Sequence, residues 1–145
     1  MRVIVILAHK GADVTTIGPG ATLADAARAL ADHRIGALVV SGDGDTVDGM
    51  LSERDIVRHL ARSGGEALDV EVAEAMTTEV VTCRPDTTAD ELMAMMTERR
   101  IRHVPVLDDG RLVGIVSIGD VVKSRIDELE IETETLQEYV TGTGY

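Results

Sequence analysis

The chain has 145 residues, with 14 Lys and Arg against 26 Asp and Glu, one Cys, two Tyr and neither Trp nor Phe. A net charge of −12 repels a phosphate backbone, and with almost no rings for bases to stack on, the composition argues against nucleic-acid binding. The lone Cys83 and four scattered His give neither a disulfide framework nor metal-ligand spacing. The longest apolar run, residues 3–8, is far shorter than the ~20 residues of a membrane span, so we expect a soluble cytoplasmic protein.

The sequence repeats itself at an offset of about 66 residues. The aligned segments are 16–22 with 82–88, 35–40 with 101–106 and, at an offset of 65, 49–57 with 114–122. The change of offset falls in predicted turns, where a duplicated fold tolerates an insertion. We therefore predict a first repeat over residues 1–68, with a linker at 63–67, a second repeat over 69–123 and a C-terminal segment over 124–145.

Each repeat is predicted to run helix, strand, strand, helix. The first helices begin at two capping-box patterns, Thr22-x-x-Asp25 and Thr88-x-x-Glu91, each followed by apolar residues at helical spacing. The predicted strands are 35–40 and 47–51, then 101–107 and 112–116, separated by Gly/Asp-rich turns. The second helices run from about residue 53 to 61 and from about residue 118 onward. Because one such repeat is marginal alone, the pattern predicts an α+β fold in which the two repeats pack as a pseudo-two-fold pair.

The C-terminal segment 124–145 departs from the repeat and is strongly acidic, with six carboxylates and one Arg. Its apolar residues recur at spacings of three and four, which predicts a helix with a seam about two heptads long. The seam residues are Ile126, Leu129, Thr133, Leu136 and Val140. Either a contact between two copies of the chain or docking on its own domain would cover this seam.

A Gly-x-x-Ser-x-x-Asp pattern occurs in both repeats, at Gly49, Ser52 and Asp55 and again at Gly114, Ser117 and Asp120. Each copy places a serine at a strand-to-helix junction. The serine and the carboxylate can cap the helix. The same helix start can also bind an anion, with the serine donating to a phosphate and the aspartate accepting from a ribose diol. The pattern alone leaves both interpretations open.

Both halves resemble cystathionine-β-synthase (CBS) domains, and the pair resembles the tandem called a Bateman module, in particular the small stand-alone bacterial CBS proteins. The likeness is carried by Thr16-x-x-Pro19-x-x-Thr22, by residues 34–40 and 49–57 and, in the second half, by residues 76–82, 100–106 and 114–122. It covers nearly the whole chain. The resemblance implies a non-catalytic regulatory module with a cleft for adenosine-containing ligands such as AMP, ADP, ATP, NAD(H) or S-adenosylmethionine.

The resemblance also implies roles for individual residues. Asp55 and Asp120 would hold ribose hydroxyls, with Ser52 and Ser117 near the ribose or phosphate. The segments 35–37 and 101–103 would present main-chain groups to the adenine edge. The complete set of predicted ligand-binding residues is Lys10, Thr15, Thr16, Ile35, Gly36, Ala37, Met50, Ser52, Arg54, Asp55, Val81, Thr82, Arg102, His103, Ile115, Ser117 and Asp120.

On a chain this acidic, the few cations are informative. Arg54, Arg102 and His103 are predicted to serve the site because they fall inside the ligand motifs, and Lys10 is a weaker candidate. Arg58, Arg99 and Arg100 fit equally well as surface residues that offset nearby carboxylates. Gly119 stands where the first repeat has Arg54, which predicts two unequal sites.

Cys83 is predicted to be a small apolar filler rather than a nucleophile. The leading hypothesis is a sensor of adenine nucleotides or NAD(H), forming a homodimer and signalling to an unidentified protein. A dimerisation module with empty clefts and a nucleotide-processing enzyme are the alternatives. The enzyme hypothesis has little support, since the sequence contains neither a dinucleotide-binding fingerprint nor a Walker motif.

Overall fold

A computed structural model of the chain describes residues 1–141, and the end of the predicted C-terminal segment, residues 142–145, lies outside this range. The elements in chain order are α1 (Val3–Lys10), β1 (Thr16–Ile17), α2 (Leu23–His33), β2 (Ala37–Val40), β3 (Gly49–Ser52), α3 (Glu53–Ser63), a 3-10 helix (Gly64–Asp69), α4 (Val72–Ala75), α5 (Ala89–Arg99), β4 (His103–Asp108), β5 (Arg111–Ser117) and α6 (Ile118–Thr141). The predicted α+β fold with one small sheet in each repeat is confirmed.

The two sheets are built alike. In the first, β2 and β3 form an antiparallel hairpin, and β1 runs parallel to β2 on its other side. In the second, β4 and β5 form the hairpin, and Cys83 makes a parallel bridge to Val106 at the place that β1 occupies in the first repeat. Strand β1 was not predicted, because two residues are too few for an alternating pattern.

Helices α2 and α5 begin at the predicted capping boxes. The Asp25 N–H donates to Thr22 Oγ1 at 3.2 Å, and the Thr22 N–H donates to the Asp25 carboxylate at 3.1 Å. Thr88 and Glu91 form the same reciprocal pair, at 3.1 and 3.3 Å. Two otherwise unpaired N–H groups are satisfied at each helix start, so these boundaries are fixed by local sequence.

Each repeat buries the chain segment that comes just before the other repeat. The Val3 N–H donates to Thr87 O at 2.8 Å, and the Val72 N–H donates to Ala21 O, also at 2.8 Å. Val3, at the start of α1, is fully buried in the core of the second repeat, and Val72, at the start of α4, is fully buried in that of the first. The two repeats are therefore joined by reciprocal exchange of these segments.

Both cores consist of aliphatic side chains, as the composition requires. The first repeat's core contains Leu23, Ala26, Leu30, Leu38, Val40, Leu51, Ile56 and Val72. The second repeat's core contains Val3, Ile6, Leu7, Cys83, Ala89, Leu92, Met96, Val104, Val106, Val116 and Val121. Burial raises the pKa of the Cys83 thiol to about 11, which keeps it protonated and unreactive near neutral pH.

The predicted linker at 63–67 is not an extended connection. A 3-10 helix from Gly64 to Asp69 follows α3 directly, and Ala67 within it is fully buried. The chain folds back here on α2 and α3. This segment belongs to the packed fold.

Helix α6 is continuous from the second repeat into the acidic C-terminal segment. Val121 and Ser124 are buried, and the Met1 ammonium lies 3.1 Å from the Glu128 carboxylate, so the first turns are docked on the chain itself. Further along, Leu129 is 52% exposed and Leu136 is 63% exposed. The chain's own domain therefore does not cover the predicted seam. None of the helices within residues 1–141 combines the length and apolar character needed to cross a bilayer.

Candidate functional site

A cleft of about 270 Å³ opens between the two repeats at the start of α3. Its volume is near the lower end of the range for small-molecule sites, ~300–1,000 Å³. The lining residues come from both repeats and from the segment that joins them: Gly36, Ala37, Met50, Ser52, Glu53, Arg54, Asp55, Arg58, Thr77, Glu79, Val80, Val81, Arg100, Ile101, Arg102 and His103.

Ser52 and Asp55 form a capping box at one wall of this cleft. The Ser52 N–H and hydroxyl both donate to Asp55 Oδ2, at 2.8 and 3.1 Å, and the Asp55 N–H donates to Ser52 Oγ at 3.4 Å. The second carboxylate oxygen, Oδ1, lies 3.9 Å from the Arg58 guanidinium. The capping interpretation therefore describes this pair correctly, and the same carboxylate also faces the cleft.

The cleft is locally rich in positive charge. Its walls carry four arginines and a histidine, Arg54, Arg58, Arg100, Arg102 and His103, against the three carboxylates of Glu53, Asp55 and Glu79. Arg58 and Arg100, for which a surface role was an equal alternative, thus lie at the cleft. On a chain of net charge −12, this concentration of guanidinium groups favours an anionic ligand, because each can hold a phosphate through two parallel hydrogen bonds.

The remaining walls are aliphatic side chains and main chain, including Met50, Val80, Val81 and Ile101. Thr77 exchanges two main-chain hydrogen bonds with Met50, each of 2.9 Å, and so fixes the joining segment against β3. The Gly36 carbonyl, predicted to meet an adenine edge, accepts the Glu53 N–H at 3.0 Å. One of its two acceptor positions is therefore already used at the start of α3.

His103 lies where the two repeats meet. Its ring is close to Gly36, where an added Cβ would stand 3.5 Å from His103 Cε1. Burial lowers the pKa of His103, and the carboxylates of Asp120 and Glu53 oppose that effect only in part. The imidazole is therefore neutral near pH 7, and one of its nitrogens is free to accept a hydrogen bond.

A second cluster of predicted residues lies at the start of α6. The Ser117 N–H donates to Asp120 Oδ2 at 2.8 Å, and the Asp120 N–H donates to Ser117 Oγ at 3.2 Å, which repeats the capping geometry of Ser52 and Asp55. Lys10, at the end of α1, donates from Nζ to the same Asp120 oxygen at 2.6 Å and to Ile115 O at 2.8 Å.

The structure brings most of the predicted ligand-binding residues together in two clusters and leaves four of them outside both. The cleft at α3 brings together Gly36, Ala37, Met50, Ser52, Arg54, Asp55, Val81, Arg102 and His103. The cluster at α6 contains Lys10, Ile115, Ser117 and Asp120. Thr15, Thr16, Ile35 and Thr82 line neither; Thr16 pairs with Val39 in the first sheet, and Ile35 packs against the first core.

Sequence reasoning did not assign Glu53, Thr77, Glu79 or Val80 to the site, although all four line the cleft. Thr77, Glu79 and Val80 precede the predicted Val81, so the resemblance over 76–82 was a usable indication. Within residues 1–141, no group of three or more His, Cys, Asp or Glu side chains is placed to hold a metal ion.

Two similar α+β repeats with exchanged segments and an arginine-lined cleft between them define a tandem repeat module. The model of the CBS domain family matches residues 9–62 and 72–127, which cover both repeats. The chain therefore belongs to the CBS-domain family and contains a tandem CBS pair, as the sequence predicted.

Known relatives agree with this assignment. The CBS domain-containing protein CBSX3, mitochondrial, of Arabidopsis thaliana is 38% identical over 128 residues, which are 86% of this chain and 62% of that protein. The chain thus spans about three fifths of that relative. The crystal structure of the CBS-domain protein ATU1752 from Agrobacterium tumefaciens superposes with a TM-score of 0.83 at 48% identity, covering 86% of this chain and 99% of that one.

A third structure, the CBS domain pair of protein MJ0100, was solved in complex with 5′-methylthioadenosine and S-adenosyl-L-methionine. It has a TM-score of 0.77 and 28% identity, and the match covers 88% of this chain and 98% of that one. A CBS pair with this fold can therefore accommodate adenosine-containing molecules.

Proposed function

We propose that the chain is a regulatory, non-catalytic module that binds a phosphorylated adenosine, namely AMP, ADP, ATP or NAD(H), in the cleft at α3. The observation that carries the proposal is the set of four arginines lining one cleft of a strongly acidic chain. The MJ0100 complex supports the adenosine part. The arginines support the phosphate part, because phosphate recognition depends on charge-assisted hydrogen bonds.

Each wall has a role in this proposal. Asp55 Oδ1 accepts hydrogen bonds from the ribose diol while Oδ2 continues to cap α3. The adenine lies between aliphatic side chains such as Met50 and Ile101, since the chain has no Trp or Phe to stack on it. Arg54 and Arg102, on opposite repeats, hold the phosphates. A ligand that touches both repeats favours their closed arrangement by its differential affinity for it, and this bias is the signal.

Thermal unfolding with AMP, ATP, NAD, NADH or S-adenosylmethionine tests the proposal. A ligand at 100 times its dissociation constant adds about 2.7 kcal/mol to the free energy of unfolding, a shift of several degrees in Tm. We expect this shift with at least one phosphorylated ligand and a smaller one with S-adenosylmethionine, and we expect the nucleotide to be recovered unchanged. No shift with any of the five compounds would overturn the proposal, and turnover would favour the enzyme hypothesis.

The site is tested with a matched pair of substitutions, Asp55→Ala and Asp25→Ala. Both carboxylates occupy the same position of a capping box, so both substitutions lose a comparable cap of about 1 kcal/mol. Only Asp55 faces the cleft. Asp55→Ala is expected to weaken nucleotide binding at least tenfold, whereas Asp25→Ala keeps it. An equal loss of nucleotide affinity in both variants would mean that Asp55 affects binding only through the stability of the fold.

We also propose that two copies associate through the exposed seam of α6. The support is the row of exposed apolar residues, which the chain's own domain leaves uncovered at Ile126, Leu129 and Leu136. Light scattering is expected to give a dimer for the wild type and a monomer for Leu129→Glu/Leu136→Glu. A monomeric wild type would refute this, and a dimer without any nucleotide binding would favour the purely structural alternative.

The compartment in which the protein works also stays a prediction. The composition predicts the cytoplasm, and CBSX3 is described as mitochondrial. Fractionation of the source cells tests this expectation directly.

A further inference from the structure

The cluster at the start of α6 is built on the same plan as the cleft at α3. Asp120 and Asp55 stand at equivalent positions of the repeat, and each accepts the N–H of its serine at 2.8 Å. The carbonyls of Gly36 and Arg102 likewise accept the first N–H groups of α3 and α6, at 3.0 and 2.8 Å. The main chain therefore provides a second ribose-binding position at Asp120.

The two positions differ in what lies beside the preceding strand. At β3, the Thr77 N–H donates to Met50 O at 2.9 Å as part of a main-chain bridge. At β5, the equivalent carbonyl is that of Ile115, and it accepts from Lys10 Nζ at 2.8 Å instead. The side-chain amine of Lys10 thus replaces a main-chain N–H, because α1 continues as a helix for eight residues whereas α4 ends after four.

The same amine also holds the carboxylate. Lys10 Nζ lies 2.6 Å from Asp120 Oδ2, and both side chains are partly shielded from water. Burial raises the pKa of Asp120, but the hydrogen bonds from Lys10 and Ser117 outweigh burial and leave the pKa lowered. The carboxylate of Asp55 has no such ammonium contact, and the Arg58 guanidinium lies 3.9 Å from its other oxygen, Oδ1.

We propose that Lys10 is a tethered competitor for ribose at Asp120, so that the chain binds one nucleotide, at Asp55, and keeps its second site closed. This inference rests on the proposed function and names the residue that makes the two sites unequal. A ribose diol at Asp120 has to compete for the carboxylate with an ammonium that is bound to two oxygens and attached to the same chain. The N-terminal helix α1 thereby sets the number of ligands per chain.

Counting bound nucleotide tests the inference. Calorimetry or equilibrium dialysis with AMP and with ATP is performed on the wild type, Lys10→Met and Lys123→Met. Methionine keeps an apolar stem of similar length and removes the charge. Lys123 is the chain's other lysine and lines the groove beside Lys10 and Asp120, so it controls for the loss of one positive charge. We expect one nucleotide per chain for the wild type and Lys123→Met, and two for Lys10→Met.

Each possible result of this binding experiment either supports or overturns the role of Lys10. The second binding event of Lys10→Met is expected to disappear in Lys10→Met/Asp120→Asn while the first remains. Two nucleotides per wild-type chain, or one per Lys10→Met chain, would overturn the inference and leave the proposed function standing. A weaker second event in Lys10→Met than in the wild type would make Lys10 a ligand group. Absence of binding by every variant would overturn the proposed function and this inference together.

Discussion

The two segments that cross between the repeats, α1 and α4, can be compared residue by residue. Both begin with a buried valine whose N–H donates to the opposite repeat at 2.8 Å. They then diverge, since α4 ends at Ala75 and leads into the Thr77 bridge, whereas α1 continues to Lys10. The comparison shows that duplicated main-chain hydrogen bonds reproduce the fold, while the two segments differ in helix length and in the group that they bring to the next strand.

The largest effect is expected from shortening the two anchors, Val3→Ala and Val72→Ala. Each removes about two methylene-sized groups from a fully buried position, at ~0.8 kcal/mol each plus a cavity cost, or roughly 2 kcal/mol per variant and 4 kcal/mol for the pair. Urea unfolding of each variant and of the wild type measures this loss of unfolding free energy. Equal losses in one cooperative transition would confirm that the anchors are equivalent; a second transition in Val3→Ala would mean that the repeats unfold independently.

An unequal effect, smaller than the combined loss of the two valine variants, is expected at two equivalent glycines. A Cβ at Gly49 would lie 2.6 Å from Met76 Sδ and 2.8 Å from the main-chain oxygen of Thr77. A Cβ at Gly114 would meet only the flexible end of Leu7, at 2.7 Å. We expect Gly49→Ala to cost about 3 kcal/mol of unfolding free energy and Gly114→Ala about 1 kcal/mol, because main chain moves less readily than a side-chain methyl.

Chemical denaturation of the two glycine variants side by side provides the measurement. If the two variants lost the same unfolding free energy within the error of the denaturation curves, the main chain at Thr77 would be no more rigid than the helix at Leu7. The segments α4 and α1 would then differ in structure but not in how strongly they resist an added side chain.

The smallest effect is expected from pH, through His103, which lies between the two sites. Its pKa is lowered from 6.5, first by burial; the charges of Lys10 and Arg102 act in the same direction, and those of Asp120 and Glu53 oppose it. The unfolded chain therefore takes up this proton at a higher pH than the folded chain. The stability associated with the neutral ring is complete above about pH 6.5 and falls as the pH decreases.

We expect His103→Gln to lose less stability than the wild type between pH 8 and pH 5. Urea unfolding at both pH values, with pH 8 as each protein's own baseline, measures the difference. If the wild type instead gained stability relative to the variant toward pH 5, the carboxylates of Asp120 and Glu53 would dominate over burial.

The elements that depend on near neighbours could be predicted from sequence. The capping boxes at Thr22 and Thr88, the two hairpins and the Ser-x-x-Asp pairs all involve partners within a few residues. The alignment of the two repeats then placed Asp55 and Asp120 at equivalent positions. Family resemblance supplied the cleft, which no local pattern contains.

The remaining features depend on contacts between distant residues. Lys10 was a weak candidate because its partner, Asp120, stands 110 residues away. Arg100 looked like a surface cation because sequence does not reveal that it ends α5 in a left-handed conformation, at φ 54°, on the edge of the cleft. The burial of α1 in the second repeat also went unpredicted, because its apolar residues fit the core of either repeat.

The exchange of segments has a consequence for how the chain folds during synthesis. Helix α1 leaves the ribosome before the second repeat does, yet Val3, Ile6 and Leu7 are buried against that later repeat. At ~5–20 residues per second, the 110 residues that separate Lys10 from Asp120 take roughly 5–20 s to appear. During that interval the apolar side of α1 has no native partner, which makes it the segment that a ribosome-associated chaperone would hold.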